Sequence, residues 1–388
     1  DLTPEDLAGW SRVWVTESGR PLVDATWEAG SLTLRQRDPV VGRNLTWTQP
    51  VGVVLAWGDT IRTVTASLRD SAATVAIANA PARRPDLILP GADGVSYGRF
   101  LPDSAGVRWL LVRLPSLRSA THRAVAWQGL REAVLAGHAD ASRVLRLALV
   151  AAPAEQDELV LAQTLGVLRE LYWRYLPDAT RTALAPEVEA VLRRGLERAP
   201  TPSRKGAWFQ AITGVALTPE TVGWLDGIWR QEAPPPGLPL SEPQYTALAE
   251  ALAVRGVADA EAILDAQQSR IANPDRVDRF RFVRRALSPD RAVRDSLFAS
   301  LADVEQRRRE PWVTAALGYL NHPLRADASR PYLAEGLRLL PEIQRTGDIF
   351  FPLAWLNALL DAHRSPEAAD AVAGYLAAEG HDLPPRLR

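Results

Sequence analysis

The 388-residue sequence contains no cysteine and no methionine. Without cysteine it has no thiol nucleophile, no thiolate ligand for zinc and no disulfide. Methionine is missing even at position 1, where a complete translation product begins, so the sequence reads as processed, trimmed or partial. Lysine occurs once, at Lys205, against 44 arginines. No rule of folding demands that ratio, and the abundance of Ala, Pro, Gly and Arg reads as a GC-rich coding bias. No apolar run approaches the ~20 residues of a membrane helix. The first residues, DLTPEDLAGW, show neither the basic nor the apolar region of a signal peptide, which leaves the compartment open. Net charge is −1, with arginine and acid intermixed, and this excludes the basic stripe of a nucleic-acid binder. The short cluster Arg307–Arg309, followed by Glu310, reads as a solvated helix end.

What is present changes character near residue 100. Between Arg20 and Phe100 the signals are for strands. Ser31–Arg37 alternates, placing Leu32, Leu34 and Gln36 on one side. Val51–Trp57 is β-branched and aromatic and ends at Gly58-Asp59, Thr60–Arg69 alternates again, and Thr74–Ala78 is a short apolar strand. Strands of this length between Gly and Pro breaks predict an antiparallel sandwich or barrel. Pro85–Pro102 reads as a structured connection with a last strand around Tyr97–Phe100, and the GADG segment Gly91–Gly94 reads as a tight turn needing positive φ. Thr3–Val15 reads as a helix capped by Thr3, with Pro4 in its first turn and Glu5 and Asp6 favouring its N-terminal dipole.

From about Leu110 helical periodicity takes over. Glu158–Leu176, Pro186–Ala199, Gln244–Val254, Ala258–Ile271 and Asp290–Leu301 are the clearest segments, and Leu161, Leu165, Leu168, Tyr172 and Leu176 form one apolar stripe. The prolines of Glu232–Pro239 stop the helix that ends near Arg230 and read as a spacer between helical layers. The expected fold class is multidomain and mainly α: a small antiparallel β-sandwich followed by an α-helical solenoid of the HEAT or armadillo sort.

The chemistry available is sparse. His122, His138, His322, His363 and His381 show no HExxH motif, and no two are spaced to share a helix face. No phosphate loop, dinucleotide fingerprint or GxSxG elbow occurs. Thirteen tryptophans read first as large core side chains and alternatively as the lining of a peptide groove. The residues alone give no mechanism.

Three segments carry a resemblance. DLAGWSRVWVTESGRPLVDATWEAGSLTLRQ (Asp6–Gln36) resembles the exit from the catalytic domain of aminopeptidase N-like zinc metallopeptidases. In that family a W…W helix and a G-x-P step, here Gly19-Arg20-Pro21, lead into a small sandwich. LPGADGVSYGRFLPD (Leu89–Asp103) resembles the link from that sandwich to the helical domain. REPWVTAALGYLNHPLRA (Arg309–Ala326) and EIQRTGDIFFPLAWLNALLDAHRSPEAADAV (Glu342–Val372) resemble the end of the helical domain in a bacterial branch of the family.

The resemblance implies a division of the chain: residues 1–19 as the tail of an upstream catalytic domain, 20–103 as the sandwich and 104–388 as a helical cap. It implies a non-catalytic region of a zinc-dependent aminopeptidase that removes N-terminal residues from peptides. Zinc, its HExxH ligands and the oxyanion-stabilising Tyr would lie in the upstream domain, and no catalytic or metal-binding residue is carried over onto this chain. The implied partners are that catalytic domain and a peptide substrate, with no nucleic acid and no membrane segment. Where basic side chains of the cap face the substrate chamber they can pair with a peptide carboxylate. In Arg345-Thr346-Gly347-Asp348, Arg345 and Asp348 are candidate chamber contacts, and the competing reading is a structural turn in which Asp348 caps the next helix. A second hypothesis is a stand-alone α-solenoid scaffold that binds a partner protein or peptide.

Overall fold

The computed structural model describes residues 6–81, 83–231 and 235–383. The chain is mainly α, with seven strands and eighteen α-helical segments among the described residues. It divides into two compact units, Asp1–Leu171 and Tyr172–Arg388.

The first unit holds all the strands: β1 (Leu22–Glu28), β2 (Ser31–Arg37), β3 (Gln49–Trp57), β4 (Thr60–Leu68), β5 (Ala72–Ala76), β6 (Leu87–Pro90) and β7 (Arg99–Phe100). They form two sheets, ordered β5-β2-β1-β7 and β4-β3-β6. Every pairing is antiparallel except the short parallel contact of β1 with β7. The β1–β2 hairpin closes over Ala29 and Gly30, both at positive φ (43° and 83°), the geometry that matches the twist of the flanking strands. Val23, Leu32 and Leu34 from one sheet meet Val51, Val53, Leu55, Ala66, Leu68 and Ile88 from the other in one buried cluster, so the two sheets form a sandwich.

The alternation of β2 holds as read. Leu32, Leu34 and Gln36 are all buried, and the Gln36 amide is satisfied by the Trp47 N–H and C=O and by the Asp70 carbonyl. Pro85–Pro102 is more than a connection, because Leu87–Pro90 is a fully buried strand. One edge of it pairs with β3, and the helices Ser104–Arg113 and Ala120–Leu135 pack against it. A run buried on both faces has no alternation to betray it. The GADG turn is as expected, with Gly91 and Gly94 both at φ 75°. Asp93 fixes the turn by accepting from the Gly52, Val95 and Ser96 N–H groups and the Ser96 hydroxyl.

At the start of the chain, Thr3, Pro4 and Glu5 lie outside the described residues. The described helix is Leu7–Ser11, continued without a break by a π-helical turn over Arg12–Thr16, and Asp6 caps it by accepting from the Gly9 N–H at 2.9 Å. Glu132, on Ala120–Leu135, is buried and receives both Arg20 (2.8 Å) and Arg99 (3.2 Å), joining the sandwich to that helix.

In the second unit, helices pack mainly on neighbours in sequence. Asp178–Arg198 lies on Pro202–Val215, Pro219–Trp229 on Glu242–Val254, and Glu242–Val254 on Ala260–Arg270. Pro186 does not open a helix as the sequence reading expected. It sits inside the 21-residue helix Asp178–Arg198. That helix continues through the proline because its buried face, with Leu184, Val188, Glu189 and Leu192, is held by tertiary packing that outweighs the lost hydrogen bond. Gly195 lets Trp208 approach: a Cβ there would sit 2.5 Å from the indole ring. Of the segment read as a spacer, residues 232–234 lie outside the described residues, while Gly237 has φ 68° and Leu238 is buried.

Much of the arginine excess has a structural use that lysine would serve poorly. Arg123 donates to the Leu117 and Arg118 carbonyls while gripping Glu155, and Arg307 donates to the Leu301 and Ala302 carbonyls and pairs with Glu342. The planar five-donor guanidinium can satisfy several carbonyls at once. Tryptophan is mostly core: Trp47, Trp57, Trp127, Trp173, Trp208, Trp229 and Trp355 are buried, and Trp10 is exposed.

Candidate functional site

The Arg345–Asp348 turn joins the helices Leu340–Thr346 and Phe351–Leu360. The first helix ends where Gly347 donates to the Ile343 carbonyl at 2.9 Å. Only glycine fits there, since a Cβ would sit 2.7 Å from the Phe351 ring and 2.9 Å from the Ile343 oxygen. The Asp348 N–H donates to Glu310 Oε1 at 2.8 Å, tying the turn to the start of the helix Glu310–Leu320. Asp348 Oδ1 accepts from the Phe350 N–H at 2.9 Å, and the Asp348 carbonyl accepts from the Phe351 N–H.

Asp348 therefore shapes the start of the next helix, but the N-cap position itself is Phe350, which offers no side-chain acceptor. Replacing Asp348 with Ala is expected to lower stability by about 0.5–1 kcal/mol and speed hydrogen exchange at the Phe350 amide, with Asn largely restoring both.

Arg345 and Asp348 are exposed. Ile349, Phe350 and Leu353 are also exposed, at 78%, 74% and 64%, on or next to the turn. The edge thus combines a cation with apolar surface and can bind an apolar or anionic segment.

The histidines do not assemble. His122 lies on Ala120–Leu135 and faces a cavity of about 560 Å³ beside Asp59, Trp109, Arg118 and Ser119. The His322 ring packs edge-on against Trp173, centroids 4.9 Å apart, and its Nδ1 accepts from the Leu324 N–H. His363 Nε2 lies 3.0 Å from Asn321 Oδ1. Burial pushes the pKa of His122, His322 and His363 down, and nearby arginine charges push His322 and His363 further. All three are therefore neutral at pH 7. Among the described residues no group of three or more His, Asp or Glu side chains is arranged to hold a metal ion.

A polar interior in the second unit escaped the sequence reading. Glu250 is buried and accepts from the Tyr319 hydroxyl (2.8 Å) and Arg279 (2.9 Å). Glu189 is also buried and accepts from the Leu217 and Thr218 N–H groups and the Thr218 hydroxyl. These groups are far apart in sequence and sit in ordinary amphipathic helices.

No protein-family profile matches the sequence, and no curated protein sequence matches it. Solved structures do match. Legionella pneumophila aminopeptidase A, in a crystal structure with aspartic acid, aligns with a TM-score of 0.54 and 13% identity. The alignment covers 96% of this chain and 50% of that one, so the chain spans about half the length of that aminopeptidase. The fold is aminopeptidase-like.

Proposed function

We propose that this chain is the non-catalytic sandwich-and-cap region of a zinc-dependent aminopeptidase that releases N-terminal residues from peptides. The observation that carries the reading is the fold match over nearly the whole chain to half of an aminopeptidase. In this reading residues 1–19 belong to the edge of a catalytic domain, 20–103 form the sandwich, and 104–388 cap the active site and wall the substrate chamber. Zinc in such an enzyme polarises the scissile carbonyl and activates a water. The described residues do not fit that ion, and no step of the reaction is assigned to a metal held by this chain. What the chain supplies is shape and charge. Arg345, exposed next to Ile349 and Phe350, is the proposed contact for the carboxylate end of a short peptide whose apolar side chains rest on that edge, and Asp348 holds the turn in place.

The test uses the whole polypeptide with its catalytic domain. Arg345→Ala should raise KM several-fold, about 2–5-fold for an exposed ion pair, toward short peptides with a free carboxylate. Aminoacyl anilides, which lack that carboxylate, should be hydrolysed as before. An equal change for both substrates, or none for either, contradicts the assigned contact.

The exposed Ile349, Phe350 and Leu353 also suit a second reading, a scaffold that binds a partner peptide. Peptide binding by the chain, in a protein with no aminopeptidase activity, would favour it.

A further inference from the structure

The second unit contains a cavity of about 580 Å³ whose lining includes Arg255, Arg294 and Arg325 and no carboxylate. That volume is in the range of small-molecule sites. The three arginines come from different segments. Arg255 follows the helix Glu242–Val254, Arg294 lies on Arg291–Ser300, and Arg325 follows Glu310–Leu320 by one short turn. Among the described residues none of the three forms an ion pair with a carboxylate. The carboxylate charge that acts on Arg255 is that of Glu189, whose oxygens accept from the Leu217 and Thr218 N–H groups.

The three guanidiniums are pinned by eight hydrogen bonds to backbone carbonyls. Arg255 donates to Thr213, Ala216 and Ala251, Arg294 to Ser288 and Pro289, and Arg325 to Ala253, Ala286 and Leu287. Most of these carbonyls lie at helix C-termini, whose partial negative charge offsets part of the positive charge. Each guanidinium has five N–H groups, so every one of the three retains donors that these carbonyls do not use. The mutual repulsion is felt within the cluster: Arg325 is pushed down in pKa by burial and then by Arg294, and still stays charged at pH 7. The rest of the lining is apolar and includes Leu217, Val222, Val254 and Leu324.

We propose that this cavity is a binding site for a small carboxylate with an apolar body. A planar carboxylate matches the guanidinium fork. The aliphatic walls accept a short branched chain and disfavour a heavily hydrated dianion such as phosphate. A free amino acid is disfavoured as well, because its ammonium group would enter a field of three cations with no lining carboxylate to receive it. The site is independent of the aminopeptidase reading.

The test is calorimetric titration of the protein with four probes: 4-methylpentanoate, leucine (the same skeleton with an α-ammonium), 4-methylpentanamide (the same skeleton without charge) and inorganic phosphate. 4-Methylpentanoate should bind saturably at one site per chain. The other three should bind about tenfold more weakly or worse. Arg294→Gln should weaken 4-methylpentanoate by about tenfold, and Val222→Trp, which fills the cavity from its apolar wall, should abolish binding while circular dichroism shows both variants folded. Absence of saturable binding overturns the proposal. So does equal binding of the amide, leucine or phosphate, or unchanged affinity in both folded variants.

Discussion

Replacing Trp355 with alanine lowers the unfolding free energy by about 3–5 kcal/mol, the range for deleting a large buried aromatic. Trp355 is completely buried in the cluster that joins the last helices of the second unit, with Leu333, Leu337, Ile343, Leu359 and Tyr375. Its ring meets Phe351 edge-on at 6.0 Å, and its Nε1–H donates to the Gly336 carbonyl at 2.9 Å. Gly336 lets the helix Phe351–Leu360 pack close, since a Cβ there would sit 2.7 Å from the Leu359 side chain. The alanine variant therefore opens a void between close-packed helices and leaves a buried carbonyl without its donor. Trp355→Phe keeps much of the volume and loses the hydrogen bond, so about 1–2 kcal/mol is expected. Urea unfolding followed by far-UV circular dichroism measures both. A loss below about 1 kcal/mol for the alanine variant would show that this cluster does not hold the helices together.

Mild acid should destabilise the second unit through its buried histidines. His322 is pushed down to about 3 by burial first, and then by the positive charges of Arg255, Arg325 and Arg181. In the unfolded chain it returns to its ordinary value of 6.5. Between those values the unfolded state binds a proton that the folded state refuses, so the contribution of His322 is fully present above about pH 6.5 and is lost as pH falls toward 3. At about 1.4 kcal/mol per pH unit, the loss from pH 6.5 to 4.5 is about 2–3 kcal/mol. His363, depressed by burial and by Arg330, adds to the same slope. In the first unit, Asp38, held down at about 2 chiefly by its hydrogen bonds from Arg43, gives up its contribution only in stronger acid. His322→Gln should remove the larger part of the slope in urea midpoints measured from pH 7 to 4.5. An unchanged slope in that variant, or a flat profile in the parent, would contradict the buried neutral imidazole.

These two sites show what the sequence could and could not reveal. The alternation in Ser31–Arg37 marked its buried face correctly, because a strand with one solvated face writes its environment at period two. Leu87–Pro90 has no solvated face and left no such mark. Pro186 looked like a helix start, since the local rule ignores the packing of Leu184, Val188 and Leu192 that carries the helix through it. The turn at Arg345–Asp348 was legible from its Gly-Asp step. Its tie to Glu310, 38 residues away, was not. The arginines of the basic cavity stand at positions 255, 294 and 325, each on or beside a different helix, and only the fold brings them to one wall. The arginine-to-lysine ratio, which read as coding bias, gains a physical side in the same way: the guanidiniums close helix ends with multiple carbonyl contacts that a single ammonium matches poorly.

The central proposal is that the aminopeptidase-like fold seen here accompanies zinc chemistry carried by other residues of the same polypeptide. Sequencing the reading frame that precedes Asp1 tests it most directly. The prediction is an in-frame HExxH motif with a further glutamate downstream of it, within ~500 codons, the span of a few domains of ordinary size. A start codon immediately before Asp1, or an open frame of that length without the motif, would contradict it.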